Sequence, residues 1–416
     1  MDRNLAGSEN KKDCQSECLQ RIVLATGRSN SPDLSRILTD HQILKLYNRP
    51  DGEGSDDQVP ADLAHHFLLA ICTHPGVGVC FKDHGWYPRE TGDAVLSHSG
   101  NDETVPKNAR IYNKILAQLL KSLKVNEDPR QQELALRIMS ACPELVCGYV
   151  ISFCYGSHCL IEPSYWSAAS LTLEPRLSSK WIANIAFFGN VISLPIPEAS
   201  FLLPRSSLYL PSPPPLSAFL ENVFPSVNIK AHFSRGIMST SPLVQHCTAI
   251  ALAKCLLKYS KVLRVMNEIE GELEEGESNG QWKKRRNELE LEARRRVPDF
   301  QVVIAFSQKA GEEVQLAKDD VGAVAAPPRK VRMAMLAESS TRLLWLYYLC
   351  FPSLVAEVRF DVGKLLQSSF DNEVGTDSIA GPTSGLDTLR RLHVLRLLKE
   401  SDQFLGFGKS GELYTR

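Results

Sequence analysis

The sequence predicts an all-α protein, a HEAT- or armadillo-like α-solenoid broken by irregular Pro-rich and charged insertions. Two observations carry that prediction. Apolar residues recur at steps of three and four in several separate stretches, the spacing that puts them on one helix face. These stretches are short, roughly 12–16 residues, and meet at tight Pro-bearing corners, as stacked helical repeats do. No strict period links them, so the architecture is read from the style of the units. At 416 residues and 43% hydrophobic composition, the chain has the material for a sizeable core.

The elements follow in order. Residues 1–16 are polar and read as a disordered tail. Leu34, Ile37, Leu38, Ile43, Leu44 and Leu46 mark one or two helices within 18–47, and PDGEGSDDQVP (50–60) is a loop by composition. A helix is expected over 61–71, with Leu63, Phe67, Leu68 and Ile71 inward and His65 and His66 on its flank. From Asn108, the positions Ile111, Ile115, Leu116, Leu119, Leu120 and Leu123 define an amphipathic helix. In the next one Asp128 is placed to cap, Pro129 takes the first helical position, and Leu134, Leu136, Ile138 and Met139 form the buried side. Pro143 ends it and opens a third helix expected to run through Val150.

LEPRLSSKWIANIAFFGNVISLPIP (173–197) is rich in aromatics. As a helix opened by Pro175, it places Trp181, Ile185 and Phe188 on one face at steps of four and three, with Leu177 inside. These three read as core between helices, or else as an aromatic contact for a partner. Residues 195–219 are too Pro-rich for a regular helix and read as an extended crossing segment. A further helix spans 241–261, with Leu243, Ala249, Leu252, Ala253, Leu256 and Leu257 on its packing side. A loop is expected at 312–329, and helices at 335–358 and 391–409. The last is apolar near the chain end, which reads as a truncated array rather than a capped one. The segments are therefore an N-terminal helical region at 17–265, a charged helix or linker insertion at 266–330, and further solenoid helices at 331–416.

Charge concentrates in the insertion. Residues 261–300 carry nine Lys or Arg and ten Asp or Glu. EIEGELEEGE is acidic, and WKKRRNELELEARRR alternates basic and acidic groups. One reading is a long solvated helix projecting from the fold. The other assigns Lys283, Lys284, Arg285, Arg286, Arg294, Arg295 and Arg296 to an RNA backbone or an acidic partner. The two clusters start 11 positions apart, close to three helical turns, so one face can present both. Arg176, in the expected first turn of its helix, opposes the helix dipole and is a further candidate for a carboxylate or RNA partner. The formal charge of −1 gives no whole-chain basic signature for nucleic acid.

Other chemistry finds little support. No GxSxG, HExxH or GxxxxGK[ST] occurs, and the GVG at 76–78 opens no phosphate-binding helix. The 11 Cys include no CxxC pair; Cys72, Cys142, Cys147, Cys247, Cys255 and Cys350 lie in apolar runs and read as small hydrophobes in a reducing intracellular setting. Cys154, His158 and Cys159 make a weak zinc motif. His74, Cys80, Asp83 and His84 around the Gly-rich turn read as loop residues before they read as ligands. No enzyme activity, cofactor or metal is expected. The most apolar windows, Phe187–Leu203 and Leu343–Val358, are broken by proline and give no membrane span.

IYNKILAQLLKSLKVNEDPRQQELALRIMSACPELVCGYV (111–150) followed by LTLEPRLSSKWIANIAFFGNVISLPIP (171–197), SPLVQHCTAIALAKCLLK and RRLHVLRLLKESDQF resembles the N-terminal region of the nucleolar pre-ribosomal-associated protein family. The resemblance runs over roughly 105–265, with weaker matches at 35–90 and 335–405. It implies a very large α-solenoid of which this chain is a piece, an incomplete gene product or a shortened form. It also implies a nucleolar factor of early pre-60S particles, working beside a second large nucleolar scaffold protein, a DEAD-box helicase and snoRNA-linked proteins on large-subunit pre-rRNA. No catalytic residues come with it. The rival reading is an α-solenoid protein–protein adaptor with no RNA contact.

Overall fold

The computed structural model describes residues 60–74, 78–80, 85–86, 115–147, 149–151, 160–162, 165–168, 171–203, 206–275, 280–319, 327–358, 360–370 and 383–401. The tail expected over 1–16, the helices expected within 18–47, and Asp83, His84, Cys154, His158 and Cys159 lie outside them. Helices dominate the described residues, and the two named strands among them pair as one short hairpin. Two compact units divide the chain: Met1–Ser170 with Leu194–Leu210, and Leu171–Ser193 with Pro211–Arg416. The charged stretch at 266–330 belongs to the second unit.

In the first unit, α1 (Pro60–Cys72) packs on α3 (Pro129–Ala141), and residues 115–122 form α2. The start of α3 follows from its sequence. Asp128 accepts the Arg130 N–H at 2.8 Å, and Pro129 has no N–H to leave unpaired. Leu134, Ala135, Ile138 and Met139 are buried, whereas Leu136 is half-exposed. His65, expected on the flank, is buried and sits 3.6 Å from Glu133, while His66 is exposed. Arg130 and Asp62 pair at 2.6 Å and tie the same two helices.

The chain leaves α1 through a turn at Gly78, whose φ is +61°. There the Val79 N–H closes on the Ile71 carbonyl at 3.0 Å, and any side chain at 78 would collide with that carbonyl. The expected third helix stops after one turn, α4 (Glu144–Cys147). β1 (Tyr149–Ile151) then pairs antiparallel with β2 (Leu160–Glu162), Val150 opposite Ile161. The aromatic and β-branched run Tyr149–Ile151 suits a strand rather than a helix. α5 (Tyr165–Ala168) packs on α4. The Pro-rich crossing holds a 3₁₀ turn, Glu198–Ser200, and a bridge between Leu202 and Tyr209. Ser200 accepts the Trp86 N–H at 2.9 Å, beside an edge-on contact of Trp86 with Phe201.

The second unit holds α6 (Ser179–Ile192), α7 (Leu216–Val223), α8 (Lys230–Ile237), α9 (Pro242–Glu272), α10 (Gln281–Arg296), α11 (Phe300–Asp319), α12 (Pro327–Cys350), α13 (Pro352–Ala356), α14 (Val362–Phe370) and α15 (Ser384–Glu400). α6 packs on α9, α9 on α12, and α12 on α15. α8 lies against α9 and α11, α10 against α9 and α7, and α14 against α15. α11 runs to Asp319 and α12 starts at Pro327, so 312–319 and 327–329 of the loop expected at 312–329 are helix.

α9 and α12 are buried on more than one side, as helices with neighbours all round are. On α9 the packing residues are Val244, Thr248, Cys255 and Tyr259 with the expected Ala249, Leu252, Ala253 and Leu256, while Leu257 is half-buried and Leu243 is 45% exposed. Gly236 brings α8 so close to Thr248 that a methyl group there would overlap its side chain. α12 and α15 meet at a buried polar cluster. Glu338 accepts from Arg342 Nε at 2.9 Å and from His393 Nε2 at 3.1 Å, and His393 stacks on Trp345. Among the described residues no helix is long and apolar enough to cross a membrane.

Candidate nucleic-acid interface

The basic clusters named from the sequence both lie on α10. Its N-cap, Gly280, offers no side chain, so the Glu275 carboxylate takes that place and accepts the N–H groups of Trp282 and Lys283 at 3.1 and 3.3 Å. A carboxylate there also answers the helix dipole. Trp282, Leu289 and Ala293 are buried at steps of seven and four, against α9 and α7. Instead of projecting into solvent, the helix lies on the second unit along this stripe. Arg286 and Arg296 share the stripe, so their guanidinium groups turn toward neighbouring helices.

Most of the charge is matched internally. Arg286 makes a two-point contact with Glu270 of α9, and this raises its pKa further. Arg296 reaches Glu221 at 3.2 Å and the Phe224 carbonyl, both at the end of α7. Arg285 pairs with Glu288, Arg294 with Glu290 and Arg295 with Glu292, all along α10. Lys283 is half-exposed and engaged, and Lys284 is exposed. The 11-residue offset does align the two clusters, but much of that alignment faces inward.

Arg176 is exposed and precedes its helix. Ser178 caps α6 through its hydroxyl, which accepts the Trp181 N–H at 3.2 Å, so Pro175, Arg176 and Leu177 stay outside. Leu177, expected inside, is 65% exposed. Trp181, Ile185 and Phe188 are all buried, and the Trp181 indole N–H donates to the Leu173 carbonyl at 3.2 Å.

A third set of cations escaped the sequence reading. KCLLKYSKVLR places Lys254, Lys258, Lys261 and Arg264 on α9 at steps of four, three and three, and residues 242–267 contain no Asp or Glu. Lys258 is buried and engaged. Lys261 and Arg264 are exposed. Half-buried Lys254 crosses to α6, where Gly189 leaves room for it, and donates to the Asn190 side-chain oxygen at 3.2 Å. Burial pulls its ammonium pKa below the usual value. The signal was legible as an acid-free basic run at helical spacing.

In the first unit, an open cleft of about 420 Å³ lies between the last turns of α1 and α3, lined by Leu69, Thr73, His74, Arg137, Ser140 and Ala141. Its donors are engaged locally: Thr73 donates to the Leu69 carbonyl, and Arg137 pairs with Glu133. Among the described residues, no group of three His, Cys, Asp or Glu is arranged to hold a metal. Cys80 and Cys142 touch at 3.7 Å as buried free thiols.

Residues 36–184 match the family model described as "Ribosome 60S biogenesis N-terminal" (Npa1). Over 243 residues the chain is also 23% identical to nucleolar pre-ribosomal-associated protein 1 of Saccharomyces cerevisiae, a match covering 58% of this chain and 12% of that relative. The chain therefore spans a small part of the relative's length. No solved structure matches the chain. The matched stretch takes in α1 to α5 and the first half of α6, with Arg176 and Trp181. The cation sets of α9 and α10 lie beyond it.

Proposed function

We propose that the chain serves as a non-catalytic scaffold in early nucleolar assembly of the 60S ribosomal subunit and in pre-rRNA processing. In this reading its helical surfaces hold pre-60S assembly factors and large-subunit pre-rRNA. The match of residues 36–184 to the 60S biogenesis region carries the reading. The helical build of the second unit, in which α6 packs on α9, α9 on α12 and α12 on α15, supports a scaffold of packed helices. The partners are those of the family: a second large nucleolar scaffold protein, a DEAD-box helicase and snoRNA-linked proteins, in the nucleolus and away from membranes.

Affinity purification of a tagged chain tests this. Early large-subunit precursor RNA should co-purify, and the tag should concentrate in nucleoli. Absence of both from a folded chain would overturn the proposal. The internal pairing of Arg286 and Arg296 favours a second reading, a protein adaptor without RNA contact. That reading predicts recovery of precursor particles in which no RNA crosslinks to this chain.

A further inference from the structure

We infer that the face of α9 bearing Lys254, Lys261 and Arg264, beside Asn190 of α6, is the chain's seat for an RNA phosphodiester backbone. The inference rests on the reading that the chain contacts pre-rRNA, and adds where it does so.

The charge pattern of α9 is the first ground. From Pro242 to Asn267 the helix holds only basic and neutral residues, and its glutamates, Glu268, Glu270 and Glu272, follow the last cation. On α10, by contrast, Glu288, Glu290 and Glu292 are interleaved with the arginines and neutralise them. Among the described residues, no carboxylate lies within ion-pairing distance of Lys254, Lys261 or Arg264.

Geometry is the second. Lys254 and Lys261 are seven residues apart and nearly in line, and Arg264 lies one turn further. The three span roughly 15 Å of helix, long enough to meet several phosphates of one strand. Point charges in a row, with no aromatic platform among them, suit a uniformly charged polymer read by its backbone rather than its bases.

Lys254 is the third. Its ammonium is half-buried, held by a neutral amide oxygen, and depressed in pKa by that burial without a carboxylate to offset it. Gly189 keeps α6 clear of the side chain. A phosphate oxygen would supply the missing counter-charge at a group already fixed in place.

The test is fluorescence anisotropy of the intact chain with a labelled uridine homopolymer and a labelled RNA hairpin at stepped salt. Lys254→Gln/Lys261→Gln/Arg264→Gln should weaken binding at least about tenfold at low salt. It should also lower the slope of log affinity against log salt by roughly 2, the value for three lost phosphate contacts. Lys261→Gln/Arg264→Gln changes only exposed side chains, and should give about two-thirds of the slope change even where the triple variant folds poorly. Arg329→Gln/Lys330→Gln, which removes two exposed cations from α12, should leave both quantities as they are. Wild-type binding that survives unchanged in the α9 variants, or falls equally in the α12 control, overturns the assignment and leaves RNA contact standing. A wild-type chain that binds neither RNA overturns the assignment and the RNA part of the proposed function together.

Discussion

Arg286 of α10 holds both carboxylate oxygens of Glu270 of α9, Nε at 2.7 Å from one and Nη2 at 3.1 Å from the other. A planar fork meeting a planar acid fixes the angle at which the two helices pack, and both groups are largely shielded from water. Arg286→Gln should lower the stability of the second unit by about 1–3 kcal/mol. Arg286→Lys should recover only part of it, since an ammonium cannot make the two-point contact. Urea unfolding followed by the fluorescence of buried Trp282 reads this. An unchanged midpoint for Arg286→Gln would count against the pair as a structural tie.

Acid should weaken the α9–α12–α15 packing in two stages. His246 donates to or accepts from Ser339 at 2.8 Å, and burial lowers its pKa, although nearby Glu338 pulls the other way. The unfolded chain takes up a proton there below about 6.5, while the folded chain resists, so this stability is lost as pH falls below that value. Burial raises the Glu338 pKa, but the contacts from His393 and Arg342 outweigh it and leave a net lowering. Its contribution is whole above the ordinary value of 4.5 and fades as pH falls through the lower folded value. His246→Gln should remove the first stage and Glu338→Gln the second, in urea midpoints measured across the acid range. Glu338→Gln should also cost about 3–5 kcal/mol at neutral pH.

Gly236 and Thr248 form a matched pair of small surfaces. Gly236→Ala should cost about 1–3 kcal/mol, because the new methyl meets the Thr248 side chain on a packed helix. Thr248→Ala in the same chain should restore part of the loss. A double-mutant cycle with no coupling would mean α8 moves away freely.

Two residues four apart should behave oppositely. Trp181→Ala opens a large cavity in the buried row and removes a bonded indole, costing about 3–5 kcal/mol. Leu177→Asn alters a side chain that lies mostly in water, and should change thermal stability by less than about 0.5 kcal/mol.

Local signals carried much of the fold. Asp128–Pro129 named the start of α3 because a cap and a missing N–H act within one turn. Pro175 misplaced the start of α6 for a related reason: two start signals stood three residues apart, and the Ser178 hydroxyl prevailed by bonding the Trp181 N–H. The α10 clusters show the limit for sites. Their partners at Glu288, Glu290 and Glu292 are visible at helical spacing, but Glu270 and Glu221 lie 16 and 75 residues away, and only packing brings them to Arg286 and Arg296. Clusters of adjacent cations drew attention, while the more dispersed run on α9 carries its charge with fewer neighbours to cancel it.

The 31 residues of α9 make a rod of about 46 Å. α6, α7, α8, α10 and α12 all rest on it. A chain of repeats that touched only nearest neighbours could fray from either end, losing one step at a time. Here five helices share one wall, so their amide protons should exchange with solvent together, through a single opening of the whole block. Damage anywhere along that wall is then felt by α6, α7, α8, α10 and α12 alike, and the block behaves as a mechanical unit, kept or lost entire.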